Sequence, residues 1–94
     1  MADATFRVEV QPDGGRHLML AGCWSLRQSD NNFADLREQL RPFFADPFLH
    51  WDLTGVEQLD SAGAAMLLAG WEHHLDGRIK LLPQQKTQLE LLMS

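Results

Sequence analysis

Apolar and polar residues alternate from Phe6 to Val10, with Phe6, Val8 and Val10 on one face and Arg7 and Glu9 on the other, the period of a half-buried strand. Gln11-Pro12-Asp13-Gly14-Gly15 is a run of turn formers, and His17 to Ala21 reads as a second strand ended by Gly22. So short a connection predicts an antiparallel hairpin. Cys23 to Gln28 shows no period. Beyond it, Ser29, Asp30 or Asn31 can cap a helix whose apolar residues Phe33, Leu36 and Leu40 recur at three- and four-residue spacing, with Asp35, Arg37, Glu38 and Gln39 toward water. Pro42 disfavours helical geometry at Arg41, so the helix is expected to stop near there, with Phe43 and Phe44 packing its end and Asp46-Pro47 breaking the chain.

Phe48 to Leu53 places Leu49, Trp51 and Leu53 on one face and Phe48, His50 and Asp52 on the other, as in an interior strand with large side chains on both sides. The stretch Leu59-Asp60-Ser61-Ala62-Gly63-Ala64-Ala65-Met66-Leu67-Leu68 then starts polar and turns apolar, which predicts a turn leading into a buried helix. Ala64, Leu67, Leu68, Trp71 and Leu75 form its stripe, and Asp76-Gly77 its C-terminal stop. Arg78 to Leu82 is a last strand. Pro83 opens a third helix, with Gln85, Lys86 and Gln88 solvated and Leu89, Leu92 and Met93 as a short apolar edge. The order β-β-α-β-α-β-α predicts an α/β fold. Its single mixed sheet begins with an antiparallel hairpin and continues with parallel strands through right-handed crossovers, with the helices mainly on one face.

The 94 residues are read as one domain, residues 1–94, able to bury only about 60 to 65 % of its unfolded surface. An apolar content of 45 % with three Trp and five Phe is globular, and a net charge of -5 removes the electrostatic basis for binding nucleic acid or anionic membrane. No apolar run reaches the ~18 to 20 residues of a membrane span, and Met1 to Thr5 lacks the features of a signal peptide, so a cytoplasmic location is expected. The single cysteine, Cys23, forms no internal disulfide and reads as a small core residue.

Candidate chemistry is sparse. Gly14-Gly15 belongs to a hairpin, and neither a phosphate-binding glycine motif nor a nucleophile elbow occurs. His73 and His74 are adjacent, so on a helix they point about 100° apart and read as exposed polar residues, not metal ligands. Asp52, Glu57 and Asp60 have no base or nucleophile to pair with. The expectation is a non-catalytic protein without cofactor or metal. Asp60-Ser61 remains as a polar pair at a helix start. It either caps the helix, worth about 1 kcal/mol, or presents Ser61 for phosphorylation, where the helix N-terminus stabilises the added charge.

Asp52-Leu53, Val56, Leu59-Asp60-Ser61-Ala62-Gly63 and the apolar helix after them resemble the STAS domain, named for sulfate transporters and anti-sigma factor antagonists. The similarity extends over nearly the whole order of elements. In the antagonist branch the serine after the turn aspartate is phosphorylated by a partner kinase, and Ser61 occupies that position. Two features depart from that branch. Gly22-Cys23-Trp24-Ser25-Leu26 lacks the usual acidic segment, and Leu59-Asp60-Ser61-Ala62-Gly63-Ala64 is similar to the N-terminal STAS domains of permeases in Mla-type ABC lipid transporters. That resemblance implies a regulatory domain at the cytoplasmic face of the bacterial inner membrane, excised here from a longer permease chain. Its implied partners are the transporter ATPase and the permease membrane domain, with an anti-sigma factor kinase as the alternative. The implied docking residues are Asp60, Ser61, Ala62, Gly63 and Ala64. Trp24, at the start of a polar loop, is equally well read as an exposed interface anchor or as core.

Overall fold

The computed structural model describes residues 4–25 and 33–93. Its elements are β1 (Thr5–Val10), β2 (Arg16–Trp24), α1 (Phe33–Phe44), β3 (His50–Leu59), α2 (Ser61–Gly70), β4 (Ile79–Lys80) and α3 (Pro83–Met93). The four strands form one sheet in the order β1-β2-β3-β4, with β1 antiparallel to β2 and the other pairs parallel. This is the expected α/β architecture. Leu18, Leu20, Trp51 and Leu53 of the sheet form one core with Leu36 and Leu40 of α1 and Met66 and Leu67 of α2. A smaller cluster, Ala64, Leu68 and Leu89, joins α2 to α3. The opposite side of the sheet is polar, and there His17 and His50 stack with ring centroids 4.9 Å apart.

Five elements end elsewhere than the hydropathy reading places them, each for a physical reason. Gly22 does not end β2. It takes φ +84°, next to a shift in register against β3, and the strand continues through Cys23 and Trp24. A bulge of this kind needs glycine's freedom at positive φ. α1 passes through Pro42, although the preceding residue is biased away from helix. The gain is aromatic packing: Phe43 meets Phe6 edge-on at 6.0 Å and Phe44 stacks on Trp51 at 4.9 Å. The cap candidates Ser29, Asp30 and Asn31 lie outside the described residues.

β3 starts at His50 and runs to Leu59, later at both ends than Phe48–Leu53. Phe48 is 82 % exposed and not a core residue. Asp46 holds the turn before it, accepting the Phe48 N–H at 2.9 Å and pairing with Arg16, and those bonds keep its carboxyl below the usual carboxylate range. α2 stops at Gly70, short of Leu75, because Glu72 and His73 wind into left-handed geometry at φ 55° and 60°. The reversal sets Trp71 edge-on against Trp51 at 5.4 Å. The Trp71 Nε1 is buried without a hydrogen-bond partner among the described residues.

β4 is only two residues long, because Leu82 serves α3 instead of the sheet. Its N–H is accepted by Gln85 Oε1 at 2.9 Å, the backward-reaching half of a capping box. Gln85 Nε2 donates to Leu53 O at 2.8 Å, and Gln88 Nε2 to Leu59 O at 2.6 Å. Gln85 is thus buried and Gln88 half-buried, not solvated, and they satisfy β3 carbonyls beyond the reach of β4. The apolar residues Leu92 and Met93 are correspondingly exposed. Replacing Gln85 with Leu leaves two backbone groups without these partners, and is expected to cost about 2 kcal/mol in urea unfolding. A change under ~0.5 kcal/mol would show that neither bond contributes.

Candidate functional site

The β3–α2 turn is built by three interactions, two of which tie it to the end of β2. Asp60, with φ -97° and ψ 179°, is the N-cap of α2, and its Oδ1 accepts the Gly63 N–H at 2.9 Å. Its Oδ2 accepts from Ser25 Oγ at 3.0 Å. Ser25 is 1 % exposed, so its hydroxyl depends on protein partners in place of water. Gly63 lies directly against β2: a Cβ there would come 2.1 Å from Trp24 O and 3.2 Å from a Leu59 methyl. Only glycine permits that approach, because the obstructing atom is backbone and cannot rotate away.

Trp24 is 0 % exposed, and its indole N–H donates to Ala21 O at 2.9 Å. It is core and cannot be the exposed anchor offered as one of its two readings. The continuation of β2 past Gly22 carries it beneath α2, a consequence of the bulge that periodicity did not show. Gly63 and Ala64 are likewise buried, so their smallness serves internal packing and not the approach of a partner. Of the implied docking residues, Asp60 and Ala62 are partly exposed and Ser61 is exposed. Ser61 is the first helical residue, with Asp60 as the cap, which resolves the question of which residue caps α2.

The outward face of α2 consists of Ser61, Ala62, Ala65 and Ala69 and carries no charge. Ala65 and Ala69 follow Ser61 at four-residue spacing, a signal present in the sequence. Ser25 had no such signal, since nothing near it is periodic. Asp52 and Glu57, the other candidate carboxylates, lie on β3. Burial works to raise the Asp52 pKa, but the Thr54 hydroxyl at 2.6 Å and N–H at 2.9 Å, with Lys80 and His17 nearby, outweigh it and hold the carboxyl below its usual range. His73 and His74 are exposed in the turn after α2.

Grooves are also present among the described residues. One of about 360 Å³ lies beside Phe44, Trp51 and Trp71, and its Asp76 and Arg78 are paired with each other at 2.9 Å. Another, on the polar side of the sheet, is lined by Arg7, Met19, Asp52 and Thr54. No helix among the described residues is long and apolar enough to cross a membrane.

Fold and turn together define a mixed four-stranded α/β domain whose β3–α2 junction presents a serine and a small, uncharged helix face. No family model matches the chain, and no curated protein matches it.

The packing separates the roles of neighbouring residues. Gly63→Ala should destabilise the domain by about 2 kcal/mol or more in chemical denaturation, as overpacking against fixed backbone does. Ser61→Ala should stay within about 0.5 kcal/mol. Equal effects at the two positions would contradict this geometry.

Proposed function

We propose that this is a STAS-like interaction domain of an Mla-type ABC lipid transporter permease, non-catalytic, docking on the transporter ATPase at the cytoplasmic face. The supporting observation is the outward surface of the β3–α2 junction. The partly exposed Asp60 and the exposed Ser61 lead into a helix face of Ala62, Ala65 and Ala69 with nothing longer than a methyl group to hold a partner away. The helix face itself carries no charge, which favours close packing of a partner helix or loop beside the Asp60 carboxylate. The resemblance in Leu59-Asp60-Ser61-Ala62-Gly63-Ala64 supplies the identity of the partner.

A second reading is favoured by one specific observation. Asp60 does the capping, so the exposed Ser61 hydroxyl stands at a helix N-terminus where a phosphate is stabilised by backbone N–H groups and the helix dipole. In that reading the domain is an anti-sigma factor antagonist released from its kinase when Ser61 is modified.

Titration calorimetry with the purified ATPase distinguishes the two. The transporter reading expects a complex that Ser61→Asp or Ala65→Arg weakens at least about tenfold, while thermal unfolding is little changed. Absence of binding contradicts it. Incubation with an anti-sigma kinase and ATP would add one phosphate, lost in Ser61→Ala, only under the second reading. Gly63 is unsuitable as a binding probe because any side chain there disturbs the fold.

A further inference from the structure

β1 is an outer strand of the sheet, and its free side pairs with no other strand among the described residues. The hairpin shows which of its backbone groups face outward. Gln11 donates its N–H to Gly15 O at 2.7 Å, so Gln11 and Gly15 are a hydrogen-bonded pair. Antiparallel ladders alternate bonded and non-bonded pairs. The β1–β2 register is unbroken from Val10↔Arg16 to Thr5↔Ala21. Odd-numbered residues of β1 therefore bond to β2, and Phe6, Val8 and Val10 turn their N–H and C=O groups to the free edge. The side chains of that same set are incompletely covered: Val8 is 39 % exposed and Val10 71 %. No proline and no lysine lies within Thr5–Val10, and its two charges, Arg7 and Glu9, are of opposite sign, so they do not repel a strand of matching pattern.

We infer that β1 pairs antiparallel with β1 of a second copy of this chain about a two-fold axis at Val8, joining two sheets edge to edge. In that register Val8 faces Val8 on the axis, while Phe6 faces Val10 and Arg7 faces Glu9, each of these two relations repeated by symmetry. The three edge-facing residues of each strand form about six backbone hydrogen bonds. Arg7 and Glu9 of the opposing strands fall at non-bonded positions, where cross-strand side chains approach most closely and opposite charges attract. The two residues already lie side by side in one strand, with Arg7 Nη2 3.7 Å from a Glu9 carboxylate oxygen. Pairing extends them into a ladder of alternating sign.

Competing arrangements are penalised by the same residues. Sliding the antiparallel register by two residues sets Arg7 against Arg7 in one direction and Glu9 against Glu9 in the other. Parallel in-register pairing does both at once. A slip of one residue turns apolar side chains toward charged ones. The strand Thr-Phe-Arg-Val-Glu-Val is thus complementary to itself in one register, and a second copy is the occupant that its charges fit. The surface is separate from the β3–α2 turn, so the inference does not rest on the proposed function.

Sedimentation equilibrium of the whole chain from micromolar to millimolar concentration tests it, with a reversible monomer–dimer equilibrium as the expected result. Arg7→Glu and Glu9→Arg should each raise the dimer dissociation constant about tenfold, and the exchange Arg7→Glu/Glu9→Arg should restore it. Val8→Pro removes an N–H that the hairpin does not use and should abolish the dimer while the far-ultraviolet spectrum stays native. If that variant does not fold, the charge series decides alone. A chain that is monomeric throughout overturns the inference. So does a dimer indifferent to Arg7→Glu, or one that the double exchange does not rescue.

Discussion

The first turn of α2 rests on the backbone of β2 with no side chain between them, and much of the fold depends on that contact. Gly63 approaches Trp24 O so closely that a methyl group would overlap it. To present that carbonyl, β2 must continue past Gly22, which it does through a residue at φ +84° and a shift in register. The continuation buries Trp24 and Ser25, and Ser25 in turn hydrogen-bonds the carboxylate that caps α2. Bulge, buried indole, cap and close approach form one joint between the end of a strand and the start of a helix.

The other end of α2 repeats the device with a different obstacle. A Cβ on Gly70 would meet the Phe44 ring at 2.3 Å, and that ring is held by stacking on Trp51. Both ends of this uncharged helix are therefore fixed by glycines against neighbours, while Met66, Leu67 and Leu68 between them fill the core. β3 is supported unevenly along its edge. β4 pairs with only Trp51 and Asp52, and glutamine side chains of α3 accept the task for Leu53 and Leu59. Side-chain amides replace a strand at modest energetic cost, since each exchanges a hydrogen bond to water for one to backbone.

Element order and sheet topology were legible in the sequence because the two-residue alternation at Phe6–Val10 and the crossover logic of the later elements depend on local pattern. Ends were less legible. Gly22 carries the same local signal as a strand terminator and as a bulge, and only pairing with β3 decides between them. Pro42 predicted a helix end that the stacking of Phe44 on Trp51 overrides. Gln85 and Gln88 are polar on a short helix, and solvation was the natural reading until the missing length of β4 gave them carbonyls to bind. At the turn, Asp60 and Ser61 were found from sequence but their division of labour was not. Gly63, an implied docking residue, is glycine because of Trp24 O and not because of a partner.

If Asp60 is foremost a structural joint, what it leaves at the surface is Ser61 and the methyl groups of α2, and any function of this turn acts through them. The measurement that bears most directly on the joint is a double-mutant cycle of Ser25→Ala and Asp60→Ala, read as unfolding free energies in urea. A coupling of about 1 kcal/mol or more is expected, since the two groups share a hydrogen bond at a partly buried site. Effects that add to within ~0.3 kcal/mol would show that the end of β2 and the start of α2 are not joined through this pair.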